Sequence, residues 1–172
     1  MASTKVLVLY YSGSGNTKKM AKAIADAMKS SAISVKVEDV GKFDISLLPK
    51  YEGIVLGSPT YFSNVAWQVK KVIDESIVHY GGGKLKGKVA GIFTSAGTSR
   101  DGKDCLKMLE VALGFHHGMK VVEGILRVDG ESDKEVEIDH FFRFSFDRQA
   151  SAGIGALIAV VIDVEAAGEA EP

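Results

Sequence analysis

Near the N-terminus, Ser12-Gly13-Ser14-Gly15-Asn16-Thr17 concentrates hydroxyls and glycines at a spacing suited to holding an anion. Ser12, Ser14 and Thr17 supply hydroxyl donors. Gly13 and Gly15 carry no side chain and tolerate positive φ, so backbone N–H groups can curl around a bound group. The loop lacks the Gly-Lys-Ser/Thr ending of a triphosphate-binding loop, and no lysine inside it could reach a terminal phosphate. Three hydroxyls without an in-loop cation suit a phosphate monoester held by neutral donors and a helix dipole. Two other readings stay open. Gly13-Ser14-Gly15 begins a G-x-G-x-x-G dinucleotide pattern, with Glu38 and Asp39 about twenty residues on, although Lys18 stands where the third glycine belongs. The loop could also be an ordinary turn in which Asn16 or Ser14 caps a helix.

The flanking elements must place this loop at a sheet edge facing a ligand. Val6 to Tyr10 is continuously apolar, as a strand buried on both faces of a helix-covered parallel sheet should be. Met20, Ile24, Ala27 and Met28 recur at helical spacing after the loop, with Lys18, Lys19, Lys22 and Lys29 on other faces. Ile33, Val35 and Val37 alternate with polar residues, which predicts an edge strand with one wetter face. Gly53 to Gly57, Lys88 to Ser95 and Val121 to Val128 read as three further strands, with a helical turn over Phe43 to Leu48 ended by Pro49. The spacing predicts helices over Asn64 to Val78, with Val65, Val69, Val72, Ile73 and Ile77 inward, and over Gly102 to Phe115, burying Cys105, Leu109 and Ala112.

Two later strand ends carry loops of the same character, Gly57-Ser58-Pro59-Thr60-Tyr61-Phe62-Ser63-Asn64 and Thr94-Ser95-Ala96-Gly97-Thr98-Ser99. Ser12 to Thr17 resembles the FMN phosphate loop of flavodoxins, Ser/Thr-x-Thr/Ser-Gly-x-Thr. The second loop resembles the flavin loop of that family, above all its Gly-Ser/Thr-Pro-Thr form in NAD(P)H:quinone oxidoreductases of the tryptophan-repressor-binding-protein type; the third loop resembles the third flavin loop. The resemblance runs in family order from about Lys5 to Val128. It implies an α/β, flavodoxin-like three-layer sandwich: a parallel five-stranded sheet in the order 2-1-3-4-5 with helices on both faces. It also implies noncovalent FMN, with the phosphate on Ser12, Gly13, Ser14, Gly15, Asn16 and Thr17. The ring would lie between Ser58, Pro59, Thr60, Tyr61 and Phe62 on one side and Thr94, Ser95, Ala96, Gly97 and Thr98 on the other.

Tyr61 takes the position of the aromatic that stacks on the flavin in the family; stapling the next helix is the alternative for Tyr61 and Phe62. The family usually places glycine after that aromatic, where a peptide flip serves the singly reduced flavin. Phe62 stands there, and a side chain makes positive φ costly, which favours two-electron hydride chemistry. The third loop lacks the family's second aromatic, leaving that ring face open to a hydride donor or to another subunit. Arg100 reads as a substrate-phosphate ligand or a solvated charge. The expected function is electron transfer between redox partner proteins, a reductase and an acceptor. The alternatives are an NAD(P)H-dependent quinone reductase and a dinucleotide-binding module without turnover.

Composition bounds these readings. The 172 residues suit a single domain over 1–165 with a frayed tail at 166–172; 46% are hydrophobic, enough for one core. With 21 basic and 22 acidic residues the net charge of -1 leaves no footprint for nucleic acid or anionic membrane. The single cysteine, Cys105, excludes a disulfide framework and suits a reducing, cytoplasmic setting; a small buried hydrophobe is the reading preferred over a reactive thiol. Met1 to Thr4 carries no signal pattern, and the apolar run Gly153 to Ile162 is too short to span a bilayer. His79 to Lys88 reads as a flexible connection, and the adjacent pair His116-His117 argues against a shared metal, because neighbours on a helix point apart. Period-2 alternation predicts an extra strand or hairpin over 135–146, whose aromatics would form a partner or homodimer surface if exposed, followed by a closing helix over 147–164.

Overall fold

A computed structural model describes residues 4–28 and 33–128 of the chain, the last six of them as backbone only. The expected hairpin at 135–146, the closing helix at 147–164 and the tail at 166–172 lie outside the described residues.

The elements run β1 (Thr4–Tyr10), α1 (Asn16–Met28), β2 (Ile33–Asp39), a 3-10 turn (Ile45–Lys50), β3 (Gly53–Tyr61), β4 (Asn64–Val65), α2 (Trp67–Glu75), α3 (Ile77–Tyr80), β5 (Val89–Ala96), α4 (Ser99–Glu110), a π-helical turn (Val111–His116) and β6 (Lys120–Val128). Five strands form a parallel sheet in the order β2-β1-β3-β5-β6, and β4 pairs antiparallel with β3 off that path. With the two-residue β4 set aside, this is the expected 2-1-3-4-5 order.

Strand pleating sorts the core into two layers. Val6, Val8, Val55, Val89 and Phe93 face α1, where Met20, Ala21, Ile24 and Met28 meet them. Leu7, Leu9, Ile54, Leu56, Ala90 and Ile92 face the other way, against Val69 and Val72 of α2 and Cys105 and Leu109 of α4. Successive side chains of one strand enter opposite layers, so β1, β3 and β5 are apolar without alternation. β2, at the edge, alternates half-buried and exposed residues from Ile33 to Lys36; the alternation then breaks, with Val37 exposed and Glu38 and Asp39 half-buried.

Several expected boundaries move. α2 starts at Trp67 and not Asn64, because Asn64 and Val65 fold back on Tyr61 and Thr60 as β4. The helix also breaks at Ser76, whose hydroxyl donates to the Ile73 carbonyl at 2.6 Å. The turn that follows changes phase: Ile77, expected inside, is 64% exposed, and His79 is buried in its stead. α4 begins at Ser99, earlier than expected, because Thr98 caps it by accepting from Asp101 N at 3.2 Å. Pro49 lies inside the 3-10 turn, which Asp44 opens by accepting from Ser46 N.

Candidate functional site

Register brings the three loops together. Tyr10 at the end of β1 pairs with Asp39 on one side and Gly57 on the other; Gly57, Ser58 and Pro59 pair with Phe93, Thr94 and Ser95. The C-terminal ends of β1, β3 and β5 therefore lie side by side, at the point where chain connections diverge from β1 to either side. Open α/β sheets place their ligand crevices there.

The first loop is shaped by its own chemistry. Ser12 Oγ accepts from Gly15 N at 3.1 Å, tightening the turn, and Gly15 adopts φ +101 with open space where a Cβ would stand. Asn16 begins the 13-residue α1 directly afterwards. The first turn of any helix has amides without an intrahelical acceptor, and here they face a loop with Ser14 exposed and Ser12 half-buried. Thr17 is buried, its Oγ1 2.9 Å from Ser95 Oγ, so it fastens α1 to the end of β5. Glu38 pairs with Lys36 at 2.6 Å, and Asp39 Oδ1 accepts from Gly41 N at 2.9 Å, so both carboxylates of the dinucleotide pattern already have partners within the chain.

In the second and third loops the expected site residues divide. Ser58, Pro59, Thr94, Ser95 and Ala96 are buried. The Ser58 hydroxyl donates to the Pro59 carbonyl and accepts from Ala66 N, both at 2.8 Å, and so supplies the cap that Ala66 lacks at the start of α2. Thr94 Oγ1 donates to the Ser58 carbonyl at 2.6 Å and, with that proton committed, accepts from Thr60 Oγ1 at 2.8 Å. These hydroxyls frame the crevice from behind. Its open wall consists of Gly13, Ser14, Tyr61, Phe62, Gly97 and Thr98, with Ser12, Gly15, Asn16 and Thr60 half-buried beside them. Tyr61 leans over the first loop: a Cβ on Gly13 would stand 2.5 Å from its hydroxyl oxygen.

Phe62 corrects the sequence reading. Its φ is +51 and that of Ser63 is +62, the left-handed region that its side chain was expected to avoid. The pairing of Tyr61 with Asn64 leaves Phe62 and Ser63 as a two-residue hairpin loop, and the turns that match strand twist require positive φ there. Neither residue is the Asn or Gly such a turn prefers, so each stores about 1 kcal/mol or more of strain.

The sequence reading missed Ser63 and Asp101. Asp101 Oδ1 accepts from Ser63 Oγ at 2.6 Å and Oδ2 from Thr98 Oγ1 at 2.9 Å, bridging the second loop to the third. These bonds, Ser63's first, hold the Asp101 carboxyl below the usual carboxylate range. Thr98-x-x-Asp101 was legible as a capping pattern; the reach to Ser63 was not, because it spans 38 residues.

Cys105 is buried behind Thr94 and burial pushes its thiol up, as a small core residue requires. Arg100 is exposed in the first turn of α4. Among the described residues no cluster of His, Cys, Asp or Glu could hold a metal, and no helix is long and apolar enough to cross a membrane.

A family model described as "Flavodoxin domain" matches residues 7–123. A flavodoxin from Clostridium saccharobutylicum is 38% identical over 121 residues, covering 70% of this chain and 73% of the relative. A protein named NAD(P)H dehydrogenase (quinone) 3, from Rhizobium meliloti (strain 1021), is 31% identical over 152 residues, covering 73% and 72%. Among solved structures, a flavodoxin, WrbA-like protein from Agrobacterium tumefaciens superposes with a TM-score of 0.61 at 30% identity, covering 69% of this chain and 76% of that one. Flavodoxin 1 from Bacillus cereus gives 0.67 at 23% identity, covering 91% and 98%, a likeness of fold alone.

Proposed function

The chain belongs to the flavodoxin family, and from that premise we propose that it binds FMN noncovalently and carries electrons between redox partner proteins. The observation that carries this reading is the convergence of three hydroxyl- and glycine-rich loops at the switch point of the sheet. The donor set fits the cofactor's phosphate. Ser12, Ser14 and the first-turn amides of α1 would hold it, in the space kept open at Gly15, without a metal or an in-loop cation. Tyr61 and Phe62 would flank the ring on one side, with Ala96, Gly97 and Thr98 on the other. The buried hydroxyls of Thr17, Ser58, Thr94 and Ser95 would keep the two walls at fixed separation. When bound, FMN supplies the electron-transfer chemistry; the chain's part is to bind, orient and shield it. Cys105, buried and unpaired, fits a reducing cytoplasmic setting.

A second reading is an NAD(P)H-dependent quinone reductase, with a homodimer completing the outer ring face. Two observations favour it: the relatives so named, and a third loop whose exposed residues, Gly97 and Thr98, leave that face uncovered. Stepwise anaerobic photoreduction of the FMN-loaded protein separates the two. Build-up of a one-electron-reduced spectrum before full reduction supports the carrier. Direct bleaching to the fully reduced form supports the reductase, and NAD(P)H with quinones then becomes the assay. Failure to take up FMN rejects both.

A further inference from the structure

We propose that Asp101 is a positioning residue: its carboxylate latches the strained β3–β4 hairpin tip onto the third loop and so fixes the wall against which a flavin ring rests. The ring contact rests on the FMN reading above; the latch does not.

Four observations carry it. Phe62 and Ser63 both sit at positive φ without the residue types that adopt it freely, so something outside the turn must hold them. Phe62 cannot supply that hold by packing, because its side chain is fully exposed. Ser63 can, since its hydroxyl donates to Asp101 Oδ1 at 2.6 Å, a hydrogen bond strengthened by the carboxylate's charge. The other oxygen of the same carboxylate accepts from Thr98 Oγ1 at 2.9 Å, and Asp101 N donates back to Thr98 Oγ1 at 3.2 Å. The latch is thus anchored in the first turn of α4, where the helix dipole favours a negative charge. One side chain couples the loop carrying Tyr61 and Phe62 to the loop carrying Gly97 and Thr98.

The test combines a flavin-free and a flavin-bound readout on wild type, Ser63→Ala, Asp101→Ala, the double variant, and Phe62→Gly/Ser63→Ala. In the FMN-free protein, HN–Hα couplings and 13Cα shifts of residues 62 and 63 should show the left-handed conformation in wild type and lose it in both single variants, with β3 and β5 shifts unchanged. FMN affinity should fall about tenfold in each single variant and no further in the double, while affinity for inorganic phosphate stays within about twofold. Phe62→Gly should restore the left-handed signature of residue 62 to Ser63→Ala, because glycine needs no latch. Left-handed signatures that survive Ser63→Ala and Asp101→Ala overturn the latch, whatever FMN does. Signatures lost with FMN affinity unchanged overturn the positioning role. If wild type itself binds no FMN, the flavin reading and the positioning role both fall; the signatures still decide the latch.

Discussion

A single methyl group tests how closely the crevice is built at each of two glycines. On Gly57 a Cβ would fall inside the Phe93 ring, which is wholly buried beneath α1. Gly57→Ala should therefore cost about 1–3 kcal/mol, read as a lowered urea midpoint, because a buried ring in a packed layer has nowhere to go. On Gly13 the added Cβ would meet only the far end of Tyr61, which is 46% exposed and can swing outward. Gly13→Ala should leave the urea midpoint within about 0.5 kcal/mol of wild type. By moving Tyr61 and narrowing the first loop it should weaken FMN binding about tenfold in a fluorescence titration, if residues 12–17 hold the phosphate as proposed. An equal loss of stability in both variants would show that Tyr61 is not the yielding partner. Both glycines stand in motifs visible in the sequence, but they answer to different neighbours: Gly13 to the exposed end of Tyr61, Gly57 to the buried Phe93 ring.

At the scale of elements, the β3–β4 hairpin is where the local sequence and the fold disagree. Phe62-Ser63 lacks the Asn-Gly signature of a two-residue hairpin loop, and the helical periodicity from Val65 onward points to a helix start. The fold overrides both: Ser58 Oγ takes Ala66 N and so fixes where the helix can begin. Phe62→Asn, which leaves Ser63 and its bond to Asp101 in place, should stabilise the protein by about 0.5–1 kcal/mol, since asparagine tolerates the left-handed region. A melting temperature raised by about 1–4 °C would show it; an unchanged or lowered value would mean that the tip stores no strain. The C-terminal break of α2 has the same origin in a hydroxyl, that of Ser76, which bonds back to Ile73 and turns His79 inward past Ile77.

Across the whole molecule, His117 joins distant parts of the chain and makes stability depend on pH. It lies just past the π-helical turn after α4, buried, with Nε2 2.7 Å from Ser76 Oγ between α2 and α3. Because the Ser76 proton goes to Ile73 O, His117 Nε2–H is the donor in this pair. Burial, then nearby His79, then His116 lower its pKa from the ordinary 6.5. The unfolded chain therefore takes up a proton that the folded chain resists. The contribution is fully present above 6.5 and is lost as pH falls below that value toward the folded pKa. Urea midpoints at about pH 7.5 and about pH 5.5 should diverge in wild type and draw together in His117→Gln. An unchanged pH slope in that variant would place the proton uptake elsewhere.

Among the described residues, strand and helix identities and the hydroxyl- and glycine-rich loop after β1 were legible in the sequence because each depends on short-range pattern. Uniform apolarity marks strands buried on both faces, 3.6-residue spacing marks helices, and hydroxyls between glycines mark a loop built for an anion. The family resemblance added the order of the sheet and the cofactor. Which hydroxyls face the crevice and which brace it from behind was decided only in three dimensions. Thr17 and Ser95 lie 78 residues apart, and Thr60 and Thr94 34 apart; each pair bonds because parallel register sets the strand ends level. The positive φ of Phe62 likewise follows from a pairing of β3 with β4, and its brace, Asp101, arrives from a different loop. A side chain's partner across the sheet is fixed by register and packing, and local residue preferences carry no trace of either.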